Sequence, residues 1–400
     1  MDKPRVVLGV SGGIAAYKTC ELLRRLTESG HDVRVVPTEA SLNFVGAATW
    51  AALSGHPVSA EVWESVHEVP HVRIGQGADL VVVAPATADM LAKAAHGLAD
   101  DLLTNTLLTA RCPVVFAPAM HTEMWEHPAT QENVATLRRR GAVVIEPAVG
   151  RLTGVDTGKG RLPDPSEIFE VCRRVLARGP GAPDLAGRHV VISAGGTREP
   201  LDPVRYLGNR SSGKQGYALA RTAVARGARV TLIEANTGLP DPAGADVRRV
   251  GTAVQLREAV LEASAGADVV VMAAAVADFR PAEYATGKIK KKDGQEPAAV
   301  ALVRNPDILA EVAADRARPG QVVVGFAAET DDVLANGREK LRRKGCDLLV
   351  VNEVGERKTF GSEENEAVVL AAGGGETAVP YGPKEALADT VWDLVVTRLD

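Results

Sequence analysis

Short apolar runs rich in β-branched residues recur along the first 120 positions: Val6–Val10, Val33–Val36, Leu80–Val83 and Val114–Phe116. Most are separated by stretches compatible with helix, and that alternation predicts a parallel α/β sheet. The rhythm stops at Arg178–Gly187 (RGPGAPDLAG), where Pro and Gly crowd together without periodicity and mark a linker. It then restarts. Val190–Ile192, Arg229–Ile233, Asp268–Met272, Val322–Val324 and Leu348–Val351 read as strands, with Ala/Arg/Glu-rich helices between several of them. The expected organisation is therefore two Rossmann-like α/β domains with parallel sheets, over 1–178 and 188–400, joined by a linker over 179–187. Within the second, Tyr284–Pro297 is rich in Lys and Gly, has no hydrophobic period and reads as an exposed basic loop.

Composition narrows the functional classes. A chain of 400 residues suits two to three domains, and 46% hydrophobic with 24% charged residues excludes disorder and fibrous repeats. The net charge of −5 gives no support to nucleic-acid binding, so the expected ligands are small molecules. No apolar run approaches the roughly 20 residues that cross a bilayer, and Met1–Arg5 leads into a strand without a signal-peptide core. The expectation is a cytoplasmic protein with no membrane partner. Cys20, Cys112, Cys172 and Cys346 are scattered, which argues against a disulfide framework or a thiolate metal site; they are expected reduced and buried.

Several motifs carry candidate chemistry. Gly9-Val10-Ser11-Gly12-Gly13-Ile14-Ala15-Ala16-Tyr17-Lys18 follows the first strand and opens a helix, so its backbone N–H groups can approach a phosphate; a tight strand-to-helix connection explains it equally well. Its spacing is not that of the G-x-G-x-x-G fingerprint. His67-Glu68-Val69-Pro70-His71 has zincin spacing, but Pro70 destroys the helix that would bring both imidazoles to one face, and no metal site is expected. Gly208–Gln215 has P-loop spacing but ends in Gln215 where Ser or Thr must hold Mg²⁺, and reads as a polar loop. Lys288-Ile289-Lys290-Lys291-Lys292 is either a solvated basic loop or a cradle for phosphates. It shares its half with Asp278 and with the turn Arg304-Asn305-Pro306-Asp307. His71 and His121 adjoin apolar strands, where open α/β sheets place their chemistry, although a lone histidine is commonly structural.

Taken together, these motifs resemble the bacterial bifunctional coenzyme A biosynthesis proteins, in which phosphopantothenoylcysteine decarboxylase is fused to phosphopantothenate–cysteine ligase. The likeness spans the chain and implies a flavodoxin-like flavoprotein domain over 1–178 and a parallel-sheet ligase domain over 188–400. In the first half it rests on Gly9–Lys18, Ala84-Pro85-Ala86-Thr87-Ala88-Asp89 and Pro118-Ala119-Met120 followed by Met124-Trp125; in the second, on Gly196–Arg205, Ser211-Ser212-Gly213-Lys214, Ala273–Asp278, Lys288–Lys291, Asn305–Ile308 and Gly325–Thr330. The resemblance implies an FMN site made by Ser11, Gly12, Gly13, Thr38, Pro85, Ala86, Thr87 and Asp89. Decarboxylation of a substrate without a β-carbonyl needs an electron sink, which a flavin provides by oxidising the cysteine thiol toward a thioaldehyde. His71 matches the family's essential histidine, as base or orienting group.

Two positions depart from the family pattern. His121 stands where relatives have the Asn that grips the substrate carboxylate, and an imidazole can still donate a hydrogen bond there. Thr153 stands where many relatives place the cysteine that protonates the enethiolate. A hydroxyl is a poor acid, so the expectation is that another acid or a water completes the step; the alternative is a half that stops at the enethiol.

For the second half the resemblance implies that CTP activates 4'-phosphopantothenate as an acyl cytidylate, which the amine of cysteine then attacks. Asn209 matches the residue that steadies the intermediate, and Lys288 with Lys290 the cations on the triphosphate. Met272, Ala273, Ala274, Asp278, Pro306, Asp307, Ile308, Leu309, Phe326, Lys340 and Lys344 match the nucleotide site, with Mg²⁺ on the phosphates. The family also implies trimers of the first domain and dimers of the second, closing into a dodecamer. The competing readings are an NAD(P)-dependent oxidoreductase, and a ligase whose flavin half has altered or lost its decarboxylase activity.

Overall fold

The structure is a computed structural model that describes residues 3–58, 60, 70–152, 156–179, 181, 183–290, 299–329, 332–353 and 364–399. The chain divides into two compact units, Met1–Ala182 and Pro183–Asp400.

The first unit holds a five-stranded sheet of β1 (Arg5–Val10), β2 (Asp32–Pro37), β3 (Leu80–Ala86), β4 (Val114–Pro118) and β5 (Val143–Val144) in the order 2-1-3-4-5, parallel throughout. This is the flavodoxin-like order, in which the chain reverses direction across the sheet between β1 and β3. Helix Ala16–Glu28 buries Thr19, Leu22, Leu23 and Leu26, a spacing that puts all four on one stripe against the sheet. Helix Pro165–Arg178 joins it there through Ile168, Cys172 and Val175, and the opposite sheet face is covered by Met90, Leu91, Leu102 and Leu103. A hairpin of β6 (Ala148–Arg151) and β7 (Thr157–Arg161) follows β5.

The second unit is built on β8 (His189–Gly195), β11 (Arg229–Ala235), β12 (Ala245–Val250), β13 (Val269–Met272), β16 (Val322–Glu329), β17 (Leu348–Glu353), β18 (Glu364–Ala371) and β19 (Glu376–Pro383). Their order is 12-11-8-13-16-17-18-19; the first six strands are parallel and the last two antiparallel. The parallel part has Rossmann order, with its reversal between β8 and β13. Two small antiparallel pairs decorate it: β9 (Arg198–Pro200) with β10 (Tyr206–Gly208), and β14 (Phe279–Pro281) with β15 (Leu302–Arg304).

All nine expected strands are present. The additional ones lack a continuous apolar run: β5 has two residues, β12 is an edge strand reading Ala-Asp-Val-Arg-Arg-Val, and β18 alternates buried and exposed positions over its first half. The expectation that all four cysteines are buried holds only for Cys172 and Cys346; Cys20 and Cys112 are half-buried, and all four are free. Desolvation pushes the Cys172 thiol up to about 12 and that of Cys346 to about 11. No helix among the described residues is long and apolar enough to cross a membrane.

Arg226, 4% exposed, fastens the second unit. Its guanidinium pairs with Asp184, donates to Asp393 Oδ1 at 2.9 Å and to the Asp389 carbonyl at 3.1 Å, and lies 3.5 Å from Asp389 Oδ1. Arg226 and Asp389 are buried, whereas Asp184 and Asp393 are partly open to water, which takes up their charge when the guanidinium is removed. Arg226→Ala is therefore expected to cost about 1–3 kcal/mol, read as a lower urea midpoint of the second unit's transition.

Candidate functional sites

Ligands of open α/β sheets bind outside the carboxyl ends of the strands, at the point where strand order reverses. Each unit has such a reversal, between β1 and β3 and between β8 and β13, and most of the candidate residues lie near one or the other.

In the first unit the glycine turn after β1 meets the end of β3. Ser11 N–H and Oγ–H both donate to the Pro85 carbonyl, at 3.3 and 2.7 Å, and the Oγ accepts from the Thr87 N–H at 3.0 Å. Thr38, at the end of β2, donates its N–H to the Val10 carbonyl at 2.9 Å and accepts from Ser41 N–H on its hydroxyl. A Cβ on Gly12 would lie 2.6 Å from Ala40 Cβ, so only glycine lets the turn sit this close to the segment after β2. Helix Ala16–Glu28 starts from Ala15 with no side-chain cap, so the positive end of its dipole lies at the glycine turn, where Ala16 N–H donates to the Gly13 carbonyl at 2.9 Å and Lys18 N–H to that of Ala15 at 3.0 Å. Lys18 stands in its first turn; burial, then the Arg161 charge, lowers its amine below the usual range. Ser11, Gly12, Gly13, Thr38, Pro85, Ala86 and Thr87 thus form one rim. Asp89 lies a turn further on, largely exposed and 3.4 Å from Lys93.

His71 sits in the first turn of helix Pro70–Gly77, which the sequence reading did not anticipate and which begins at the proline, while His67–Val69 lie outside the described residues. Its carbonyl accepts from Thr109 Oγ1–H at 2.8 Å, but its Nδ1 is buried without a hydrogen-bond partner among the described residues. His121 caps the short helix Thr122–Glu126, its exposed side chain making no capping bond. The β6–β7 hairpin packs on this loop: Met120 N–H donates to the Gly160 carbonyl at 2.9 Å, and a Cβ on Gly158 would lie 2.2 Å from Thr122 Oγ1. Lys159, between those glycines, reaches 5.9 Å from the Trp125 ring centroid and 2.7 Å from Glu146, which Arg138 also pairs at 2.7 Å. Burial opposes the Glu146 charge, yet Lys159 and Arg138 hold its carboxyl below the usual range. The glycines flanking Lys159 were the available sign of this contact. Thr153 lies outside the described residues.

In the second unit Gly195 ends β8 at φ +90°, where a Cβ would be 2.1 Å from the Ala235 carbonyl oxygen. The Gly195 carbonyl accepts from Ala275 N–H at 2.8 Å, and Thr197 Oγ1 accepts from Ala277 N–H at 3.0 Å. Asn209 Nδ2–H donates to the Val276 carbonyl at 3.3 Å, Asn305 Nδ2–H to that of Ala277 at 2.8 Å, and Asn305 N–H to that of Asp278 at 2.9 Å. Asn209, the Ala273–Asp278 segment and the Asn305–Pro306 turn are thereby one assembly. Asp307 caps helix Ile308–Ala314 and pairs with Lys344; burial opposes its charge, and the Lys344 ammonium and the Ala310 N–H keep its carboxyl low. Leu309 packs against Gly325, which lies opposite Met272 and precedes Phe326. Lys340 is one turn before Lys344 in helix Val333–Lys344.

The basic segment is exposed and irregular through residue 290, as expected, and Lys291 and Lys292 lie outside the described residues. It is anchored by Asp202, which the motif reading did not single out. The Asp202 carboxylate accepts from Val204 and Arg205 N–H at 2.8 Å each and from Ile289 N–H at 3.1 Å, while Arg205 donates to the Ile289 carbonyl. Burial works against this charge, and those N–H groups and the Arg205 cation hold it below the usual carboxylate range. Gln215 donates to the Lys384 carbonyl at 3.1 Å and accepts from Asn365 at 3.2 Å, so its amide is a structural tie between elements and the loop is no Walker A. Among the described residues no cluster of His, Cys, Asp and Glu could hold a metal ion.

Comparison with known proteins places both halves. Residues 1–177 match the family described as Flavoprotein, and residues 185–399 the family described as DNA/pantothenate metabolism flavoprotein C-terminal domain, so the class is a flavoprotein domain joined to a second catalytic domain. The chain is 60% identical over 408 residues to the coenzyme A biosynthesis bifunctional protein CoaBC of Mycolicibacterium smegmatis, covering 99% of this chain and 98% of that protein. It is 61% identical to CoaBC of Mycobacterium tuberculosis, covering 99% and 97%, and 42% identical to that of Vibrio vulnificus, covering 99% and 98%. The chain belongs to the CoaBC family: it is a bifunctional enzyme of coenzyme A biosynthesis with decarboxylase and ligase activities, and not an NAD(P)-dependent oxidoreductase.

Proposed function

We propose that residues 188–400 join 4'-phosphopantothenate to cysteine with CTP and Mg²⁺, that residues 1–178 decarboxylate the 4'-phosphopantothenoylcysteine formed using FMN, and that 179–187 link them. The observation that carries this reading is what gathers at the two switch points: the Ser11–Gly13 turn tied to Pro85–Thr87 at a helix start, and Asn209 tied to the Ala273–Asp278 segment with Ile289, next to Lys288, held by Asp202.

The first switch point fits a phosphate-bearing flavin. Ser11–Gly13 would hold the phosphate, with Thr38 and Pro85–Thr87 around the cofactor; the close seat of Gly12 on Ala40 sets that rim. Bound there, FMN supplies the two-electron oxidation that makes loss of CO₂ feasible. His71 holds or takes the proton, and His121 orients the substrate carboxylate. Gly12→Ala is expected to weaken flavin retention by about tenfold or more, because neither Cβ can move aside without shifting backbone. Absorbance of the purified protein near the flavin bands measures it.

In the second unit Asn209 steadies the acyl cytidylate while Lys288 and Lys290 take up phosphate charge, with Lys340, Lys344 and the Pro306–Leu309 turn completing the nucleotide site. Mg²⁺ would ride on the triphosphate, which supplies its own oxygen donors. The protein acts in the cytoplasm as a homo-oligomer, with trimers of the first unit and dimers of the second in a dodecamer. Ile14 and Tyr17, 63% and 58% exposed on the glycine turn and the helix it opens, support a partner surface there. The test is mass spectrometry of products from phosphopantothenate, cysteine, CTP and Mg²⁺. The expected product is 4'-phosphopantetheine. The departures at His121 and Thr153 favour a second reading in which the enethiol accumulates, and the same spectrum separates the two.

A further inference from the structure

We propose that Asn352 is the specificity-determining residue for the nucleobase, its side-chain oxygen accepting the exocyclic amino group of cytosine. This rests on the nucleotide reading of the second switch point and adds a position to it. Asn352 lies near the carboxyl end of β17, opposite Ala328 of β16, while Phe326 lies opposite Val350. Side chains alternate along a strand. Val350 is buried in the cluster against which Phe326 packs, whereas Val351 belongs to the cluster on the opposite face. Asn352 therefore shares a face with Phe326, one register step away on the neighbouring strand and at the ligand end of the sheet.

The side-chain oxygen of Asn352 is buried and has no hydrogen-bond partner among the described residues. Buried carbonyl oxygens are nearly always paired, so an acceptor left open at the carboxyl end of a parallel strand points to a donor that arrives with the ligand. An aromatic ring beside an open amide oxygen suits a planar base with an amino group. Cytosine presents an N–H₂ donor at C4; uracil presents a carbonyl there, which would face the amide oxygen with nothing to donate. A site built to hydrogen-bond a group rejects the analogue that lacks it more strongly than a site relying on shape.

The test measures pyrophosphate release by the full-length protein, with phosphopantothenate and cysteine saturating and CTP or UTP varied. The unmodified chain is expected to favour CTP. Asn352→Ala should lower kcat/KM for CTP by about tenfold or more and leave UTP unchanged, so that the preference collapses. Asn352→Asp keeps the acceptor and should keep the preference, which serves as the decisive variant if the alanine form does not fold. A parallel fall for both nucleotides, an intact preference in Asn352→Ala, a collapsed one in Asn352→Asp, or a starting preference for UTP overturns the assignment. An unmodified chain that consumes neither nucleotide overturns the ligase reading itself, a distinct failure visible before any variant is made.

Discussion

Replacing Lys288 with glutamine is expected to lower the ligase kcat/KM by about 10²-fold or more, while flavin absorbance and CO₂ release from phosphopantothenoylcysteine stay unchanged. The residue is exposed, but its backbone is not left to wander: the next residue, Ile289, is held at its N–H by Asp202 and at its carbonyl by Arg205. An ammonium presented from a fixed main chain meets developing phosphate charge without first being ordered. Glutamine preserves polarity and much of the length but removes the charge. Equal damage to both activities would contradict separate sites.

His71→Asn is expected to cut decarboxylation by about 10²- to 10⁴-fold, the range of a lost general base, with ligation unaffected. Among the described residues the imidazole Nδ1 makes no hydrogen bond, and the His71 backbone carbonyl, not its side chain, accepts from Thr109. The substitution therefore removes little that holds the fold, and a thermal transition unchanged within a few degrees accompanies the predicted loss. Separate assays of CO₂ and pyrophosphate check it. A variant that decarboxylates at full rate would remove His71 from the chemistry.

Both sheets were legible because strands buried on two faces must be apolar throughout, and Val6–Val10 and Val190–Ile192 are. β18 and β19 were not, because strands open to solvent on one face need only alternate. The glycine turn and the Pro85–Thr87 segment were paired through the family resemblance alone, since apolar runs do not reveal that β1 and β3 are neighbours. The Asp202 clamp could not: its partner Ile289 is 87 residues away, and a carboxylate that accepts backbone N–H groups leaves no pattern in residue types. Asn352 was equally silent, since an open acceptor becomes visible only when its neighbours in space are known.

Arg226 bonds Asp184 near the start of the second unit and Asp393 in its last helix, which brings the unit's two ends to a single side chain. Ends that lie together can be joined by a short peptide and the chain reopened at an exposed turn such as Gly373–Gly375. The ligase half is thereby a natural candidate for circular permutation.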